Sequence, residues 1–341
     1  MSIETNAENL SSASGANFFF ALLTATGIAS ELENELHLVC TSGDKESPQG
    51  RSSQIFSKRI AELSKGRIQV NVFYQNELGG QGETFDQLLK GNVHFMLEWP
   101  MTAYDRRLAI GFVPYLVLDW EDAISAFEEE GWLLELMAPI YAENNLKFLG
   151  PYPEGFGGIA TQGRFATNTL AARGIKVRSQ TIFPLPQTVR AMGFEAVPID
   201  WSEVYTSIQT GVVDGDSGNV IYWDYQYFGE ILDYYVHSRQ NFAFSVLIMN
   251  LKTFEKLAEK DQKIVEKAAS EMVTSQFINA RKEDEHWIKV AQENGMEYIE
   301  PEREEIKEWI KKVRSEVWPL VEEAYGRKTM DVIRRNASTP N

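Results

Sequence analysis

The chain has 341 residues, of which 43% are hydrophobic and 24% charged, the composition of an ordinary soluble globular protein of about two domains. Its 33 Lys and Arg against 49 Asp and Glu give a formal net charge of −16. Nucleic acid is thereby excluded as a partner, because phosphate binding needs a basic surface. Any anion site must be a local positive pocket in an acidic surface.

A lone cysteine, Cys40, excludes an internal disulfide and a CxxC zinc site. It follows "ELENELHLV", which is too charged for a signal h-region, so a lipid-anchored cysteine is not expected. His37, His94, His237 and His286 lie far apart and read as surface or packing residues rather than ligands. There is no Gly-rich phosphate loop, GxSxG elbow or metal-ligand cluster, so no catalytic residue, cofactor or metal is expected.

Residues 17–30, "NFFFALLTATGIAS", form an apolar run of h-region length with a plausible cleavage site near Ala29 or Ser30. The first Lys or Arg is Lys45, so the basic n-region is missing. The expectation is an exported, periplasmic protein with an atypical signal, and a leader or loose tail over 1–35. No other run approaches ~18 uninterrupted apolar residues.

Downstream, "LHLVCTS" is a predicted strand. "SSQIFSKRIAELSKG" carries a helical stripe at Ile55, Phe56, Ile60 and Leu63 and stops at Gly66. "RIQVNVFY" alternates as a strand, "GGQGETFDQLLKGN" is a glycine turn and a helix ended by Gly91, and "VHFMLEW" is a third strand. This βαβαβ rhythm predicts an α/β layer with a mostly parallel sheet. "WEDAISAFEEEGWLLELMAPIYAENN" reads as one helix, and "LKFLGPYP" and "FGGIAT" as strands.

In "GIKVRSQ", Ile175 and Val177 alternate with Lys176 and Arg178, the period of a strand with one apolar face. Arg178 then either meets water or points into a cleft and awaits an anion. "PQTVRAMGF" reads as a helix and "EAVPID" as an extended piece. "WSEVYTSIQTGVVDGDSGN" reads as a helix, a stop at Gly211 and a strand leading into a polar loop. "NFAFSVLIMNLKTF" contains an apolar strand. A helical run from Glu259 to about Asn294 would reach over ~50 Å, enough to brace two domains, unless it breaks near Ser275. A last amphipathic helix covers "EREEIKEWIKKVRSEVWPLVEEAYG".

With the "GIKVR" strand, then Pro198, "WSEVY", "QTGVVDG" and the long helix in this order, residues 36 to 330 resemble the DctP family. These are the solute-binding proteins of tripartite ATP-independent periplasmic (TRAP) transporters. "SPQG", "ELGGQGETFDQLLKGNVHF" and "FVPYL" support the likeness. The resemblance implies an α/β, two-lobed, periplasmic-binding-protein-like (Venus flytrap) fold with a long helix spanning both lobes. It places lobe I at 36–157 plus 245–275 and lobe II at 158–244 plus 276–332. It implies a monomeric extracytoplasmic receptor that closes on a small organic acid and delivers it to TRAP membrane permease subunits. A sensor partnered with a signalling receptor would have the same pocket, and an enzyme using Glu98 and Asp216 as an acid/base pair is a further alternative.

By the same resemblance Arg178 forks the ligand carboxylate. Glu98 would accept from a ligand hydroxyl or ammonium, or else is a strand-end glutamate in water. Trp201 is an apolar wall or a core residue. Gly218 is the strict match to a polar loop contact, with Asn219 its neighbour. Thr41 and Ser42 would offer hydroxyls, and Arg164 matches a commonly basic position that would support the site. Gly158 stands where many relatives carry a second carboxylate-binding arginine. With Gly157 it would leave room, and Trp99, Phe156, Trp201, Tyr222 and Trp223 would line the cleft. A monocarboxylate with an apolar or aromatic body suits such a lining better than a dicarboxylate.

Overall fold

The structure is a computed structural model and describes residues 33–340. The leader expected over 1–35 therefore lies almost wholly outside the described residues. Asn34–Cys40 (β1), Pro48–Leu63 (α1), Ile68–Tyr74 (β2), Gln81–Lys90 (α2) and Phe95–Glu98 (β3) open the fold. Ser47 caps α1 by accepting from the Gly50 amide, with Pro48 at the first turn where its missing N–H is harmless. Gly91 ends α2 in the left-handed region, φ 80°. Strands β2, β1 and β3 pair in parallel.

Trp120–Phe127 (α3) and Trp132–Glu143 (α4) follow. The single helix expected here is two, because the chain turns at Gly131. A Cβ there would sit 2.4 Å from the Ala126 carbonyl oxygen. Leu146–Phe156 (β4) is the edge of the first sheet, whose order is β2-β1-β3-β10-β4, with Phe242–Asn250 (β10) running antiparallel between β3 and β4.

The second sheet has the order β11-β9-β5-β8-β6-β7. It takes Ile159–Thr161 (β5), Lys176–Ser179 (β6), Glu195–Pro198 (β7), Gly215–Ser217 (β8), Tyr234–Val236 (β9) and Glu297–Ile299 (β11). Leu185–Ala191 (α5) and Val204–Gln209 (α6) pack on it, and Ile221–Phe228 (α7) adds Ile221 and Phe228 to the core beneath it. Beyond the polar loop predicted at the end of "VVDGDSGN", where the sequence reading names no element, the chain forms α7.

Short Leu251–Lys256 (α8) leads to Glu259–Glu293 (α9), unbroken for 35 residues. It buries Val265, Ala268, Ala269, Met272 and Val273 against the first lobe, and packs on α7 and β11 further along. Arg303–Tyr325 (α10) and Arg327–Asn336 (α11) close the chain. The expected lobe boundaries differ here in two places. Strand β10 joins the first sheet from Phe242 rather than 245. Helix α10 is not confined to the second lobe: Trp309 Nε1 donates to the Met192 carbonyl, but Trp318 Nε1 donates to the Pro114 carbonyl of the first.

The chain crosses between the sheets at Gly157–Gly158, at 237–241 and along α9. The two short crossings clasp each other. The Gly157 amide donates to the Asn241 carbonyl (3.0 Å), and the Arg239 amide to the Gly157 carbonyl (2.9 Å). This is the two-lobed Venus flytrap architecture, with the long helix as its brace.

Candidate functional site

Between the lobes lies a cavity of about 130 Å³. Ser42, Glu98 and Trp99 line it from the first lobe; Arg178, Gln180, Trp201, Asn219 and Trp223 line it from the second. The lobes meet around it. Tyr227 Oη donates to Asp44 (3.2 Å), the Phe183 amide to Thr102 Oγ1 (3.1 Å), and the Arg106 guanidinium sits 5.0 Å from the Phe183 ring centre.

Arg178 leaves the buried face of β6 and is 3% exposed. Its Nε donates to the Ile199 carbonyl (2.9 Å) and its Nη1 to Asp216 on the neighbouring β8 (3.3 Å), while the Trp201 ring lies 5.7 Å away. These bonds fix the guanidinium in a wall of the cavity, and its remaining N–H groups are the kind of fork that matches a carboxylate edge. Burial pushes the Asp216 carboxyl up, with Arg178 opposing. Burial, joined by the charge of Asp216, holds Asp224 well above its ordinary range. Asn219 bridges the two acids, donating to Asp216 (2.7 Å) and Asp224 (3.0 Å), and accepts from Gln180 Nε2 (3.1 Å). Gln180 Oε1 is buried without a donor.

Opposite stands Glu98, at the end of β3. It accepts from the hydroxyls of Thr41 and Ser42 and from the amides of Ser42 and Trp99 (each 2.9 Å). Burial raises its pKa and these donors oppose the rise. Behind it Glu154, on β4, accepts from Trp99 Nε1 (2.9 Å), Gln49 Nε2 (3.0 Å), Ser245 Oγ (2.8 Å) and Trp223 Nε1 (2.8 Å). Burial pushes its pKa up to about 7. Among the described residues, no group of three His, Cys, Asp or Glu is placed to hold a metal ion.

Of the residues singled out in the sequence, Arg178, Glu98, Trp99, Trp201, Asn219, Ser42 and Trp223 thus meet at one cavity. Others do not. Thr41 lies behind Glu98 and its hydroxyl is engaged there. Gly218 turns Asn219 inward with φ +91° but is not itself a wall. Phe156 is a core residue, edge-on to Trp120 and Phe242, and Tyr222 lies behind Trp223 against Trp287. Arg164 is exposed on a loop and offers the cavity no charge. Gly158 makes no room for a ligand, because the Tyr235 ring already fills the place of its Cβ (2.3 Å). Asp216 holds Arg178 rather than facing Glu98 as an acid/base partner.

Sequence reading missed Gln180, Gln49, Gln81, Thr102 and Glu154. Gln180 carried a usable signal: two residues after Arg178, it shares that side chain's face of the strand.

Residues 40–324 match the family described as bacterial extracellular solute-binding protein, family 7 (DctP). The ectoine-binding periplasmic protein TeaA of Halomonas elongata is 27% identical over 220 residues, 64% of each chain. The ectoine/5-hydroxyectoine-binding periplasmic protein UehA of Ruegeria pomeroyi is 26% identical over 65% of each. The chain thus spans just under two thirds of the length of these relatives. A crystal structure of a TRAP periplasmic solute-binding protein from Desulfovibrio desulfuricans with bound sn-glycerol-3-phosphate superposes with a TM-score of 0.82. It is 20% identical, and the match covers 90% of this chain and 98% of that one. One from Sulfurospirillum deleyianum with bound succinate gives 0.79 at 21% identity, covering 89% and 98%.

Proposed function

The chain belongs to the DctP family of TRAP solute-binding proteins, and from that premise we propose that its cavity binds a small monocarboxylate for delivery to a membrane permease. The observation that carries this is charge. Among the described lining residues Arg178 is the sole cation, and the carboxyl group of Glu98 stands in the wall of the other lobe. One fork takes one carboxylate. A second carboxylate would meet Glu98 or Asp200 rather than another guanidinium. Trp99, Trp201, Trp223, Met101, Ile182 and Ile199 surround the ligand's body with apolar surface. With Glu98 opposite, the fitting ligand carries its carboxylate at one end and a cationic or hydrogen-bond-donating group at the other. The ectoine-binding relatives support that class, since ectoine is a cyclic amidinium carboxylate.

The family is one of binding proteins, not enzymes, and its match favours a permease partner over a sensor. The receptor acts as a monomer in this reading, which sedimentation would check.

The test is a thermal-shift panel of ectoine, 5-hydroxyectoine, succinate, and branched and aromatic monocarboxylates, read on wild type, Arg178→Ala and Glu98→Gln. A ligand at 100 times its Kd adds about 2.7 kcal/mol of stability. A monocarboxylate should shift wild type and not Arg178→Ala, and a zwitterion should lose most of its shift in Glu98→Gln. Succinate acting while every monocarboxylate fails would overturn the ligand class; equal shifts in Arg178→Ala would overturn the site.

A further inference from the structure

We infer that Glu154 is a positioning residue for the ligand cavity: its carboxylate holds the indoles of Trp99 and Trp223, one from each lobe, and protonating it releases that hold. The inference rests on the cavity being the ligand site, but its test needs no ligand.

Trp99 and Trp223 are walls of the cavity, and both turn their Nε1–H away from it onto Glu154. An indole N–H can only donate, and an ionised carboxylate only accepts, through about four lone-pair sites. Glu154 takes four donors, unevenly shared between its two oxygens. Oε1 takes Trp99, Gln49 and Ser245, and Oε2 takes Trp223. Trp223 reaches it from α7 in the second lobe, and the other three come from the first. A proton on Oε1 must displace one of its three donors, and a proton on Oε2 turns that oxygen into a neutral hydroxyl, a poorer acceptor for the Trp223 indole. Gln49 can turn, because its Oε1 is buried without a partner and an amide flip would present it as an acceptor. Gln49 also lines the cavity, so its turning alters a wall directly.

The neighbourhood favours uptake of that proton near neutrality. Burial raises Glu154 to about 7, with the charge of Glu98 adding to the rise and the Trp223, Ser245 and Trp99 donors opposing it. The titratable groups around it are Glu98 from β3, Cys40 from β1, Tyr152 on its own strand, Tyr222 from α7, and Glu283 and Asp284 from α9. Helix α1 and strand β10 contribute Gln49 and Ser245, which do not titrate. Asp284 is itself raised to about 7 by burial. It must therefore be separated from Glu154 in any pH experiment.

The experiment is NMR of protein labelled with ¹⁵N in the tryptophan indoles, titrated from pH 5.5 to 8.5. Trp99→Phe and Trp223→Phe assign the two resonances. Trp309 and Trp318, whose indoles donate to backbone carbonyls, serve as fixed references. The Trp99 and Trp223 resonances should move together with one midpoint near neutrality. They should do so in wild type and Asp284→Asn, and stay still in Glu154→Gln. A role in stability alone would lower Tm without tying the two indoles to one midpoint. Should Glu154→Gln fail to fold, Trp223→Phe carries the test. Losing one donor should raise the midpoint still seen at Trp99. Indoles that do not move in wild type, that move equally in Glu154→Gln, or whose midpoint ignores Trp223→Phe overturn the inference. A thermal-shift panel in which no acid binds leaves this titration untouched, so the two readings fail separately.

Discussion

Arg178 and Asp216 form a buried pair with side chains 3% and 0% exposed, and their geometry is slack at 3.3 Å. A buried pair contributes little net stability, yet breaking it is costly because the survivor is left uncompensated. Arg178→Met should therefore cost about 3 kcal/mol in urea unfolding at pH 8. The loss should shrink at pH 5, because burial already raises Asp216 and without Arg178 it can take up a proton and become neutral. A loss independent of pH would mean that Asp216 never carries the countercharge. Arg178→Lys should keep the fold yet bind the ligand at least ~10-fold more weakly, since an ammonium cannot engage Ile199, Asp216 and both ligand oxygens in one plane. Isothermal titration would read the difference.

At the scale of elements, the crossings between the lobes are set by close backbone approach. A Cβ on Gly157 would lie 2.4 Å from the Gly218 carbonyl oxygen and 2.8 Å from Asn241 Oδ1. Gly157→Ala should cost about 1–3 kcal/mol in denaturant unfolding, because the colliding atoms belong to segments tied to both sheets. Gly82 in α2 is its counterpart, with nothing within 4 Å of its Cβ position. Gly82→Ala, in the first turn of α2, should stabilise by up to about 0.5 kcal/mol through helix propensity alone. The same contrast explains what the sequence revealed. Helix α9 was legible because its small and apolar residues keep helical spacing with no Gly or Pro. The α3–α4 break was hidden because apolar spacing continues through Gly131. Helix α7, "IYWDYQYF", is rich in aromatic residues that favour strands, and follows a Gly-Asn pair that reads as a turn. Strand alternation left Arg178 either in water or in a cleft, and only the resemblance to the DctP family singled it out. Glu154 could not: it falls in the gap between the strands read at "LKFLGPYP" and "FGGIAT", and the partners that bury it come from residues 49, 99, 223 and 245. Arg164 misled for the converse reason, being near the site in sequence but turned to solvent.

For the whole molecule, buried acids and the shielded histidines His94 and His237 pull stability in opposite directions as pH changes. Glu154 and Asp284 are raised to about 7 from ordinary values of 4.5 and 3.8. Between those limits the folded state holds more protons than the unfolded chain, so the stability they contribute falls as pH rises. Each proton is worth up to about 1.4 kcal/mol per pH unit. His94 and His237 are lowered, chiefly by burial, from 6.5. Below 6.5 the unfolded chain binds protons that the folded one refuses, so acidification there is destabilising. Acidification should therefore do little well above pH 7, raise Tm as pH falls through about 7, and flatten below about 6.5, where the histidines begin to cancel the acids. The net charge of −16 adds to the rise, because each proton taken up relieves self-repulsion. Salt screens that second effect but scarcely touches buried groups. The rise should thus persist at 0.5 M NaCl in wild type and be smaller in Asp284→Asn, with calorimetry across the pH series as the measurement. A rise abolished by salt would assign it to surface charge. The ionised state of Glu154, which holds the two indoles, would then cost the fold nothing at neutral pH.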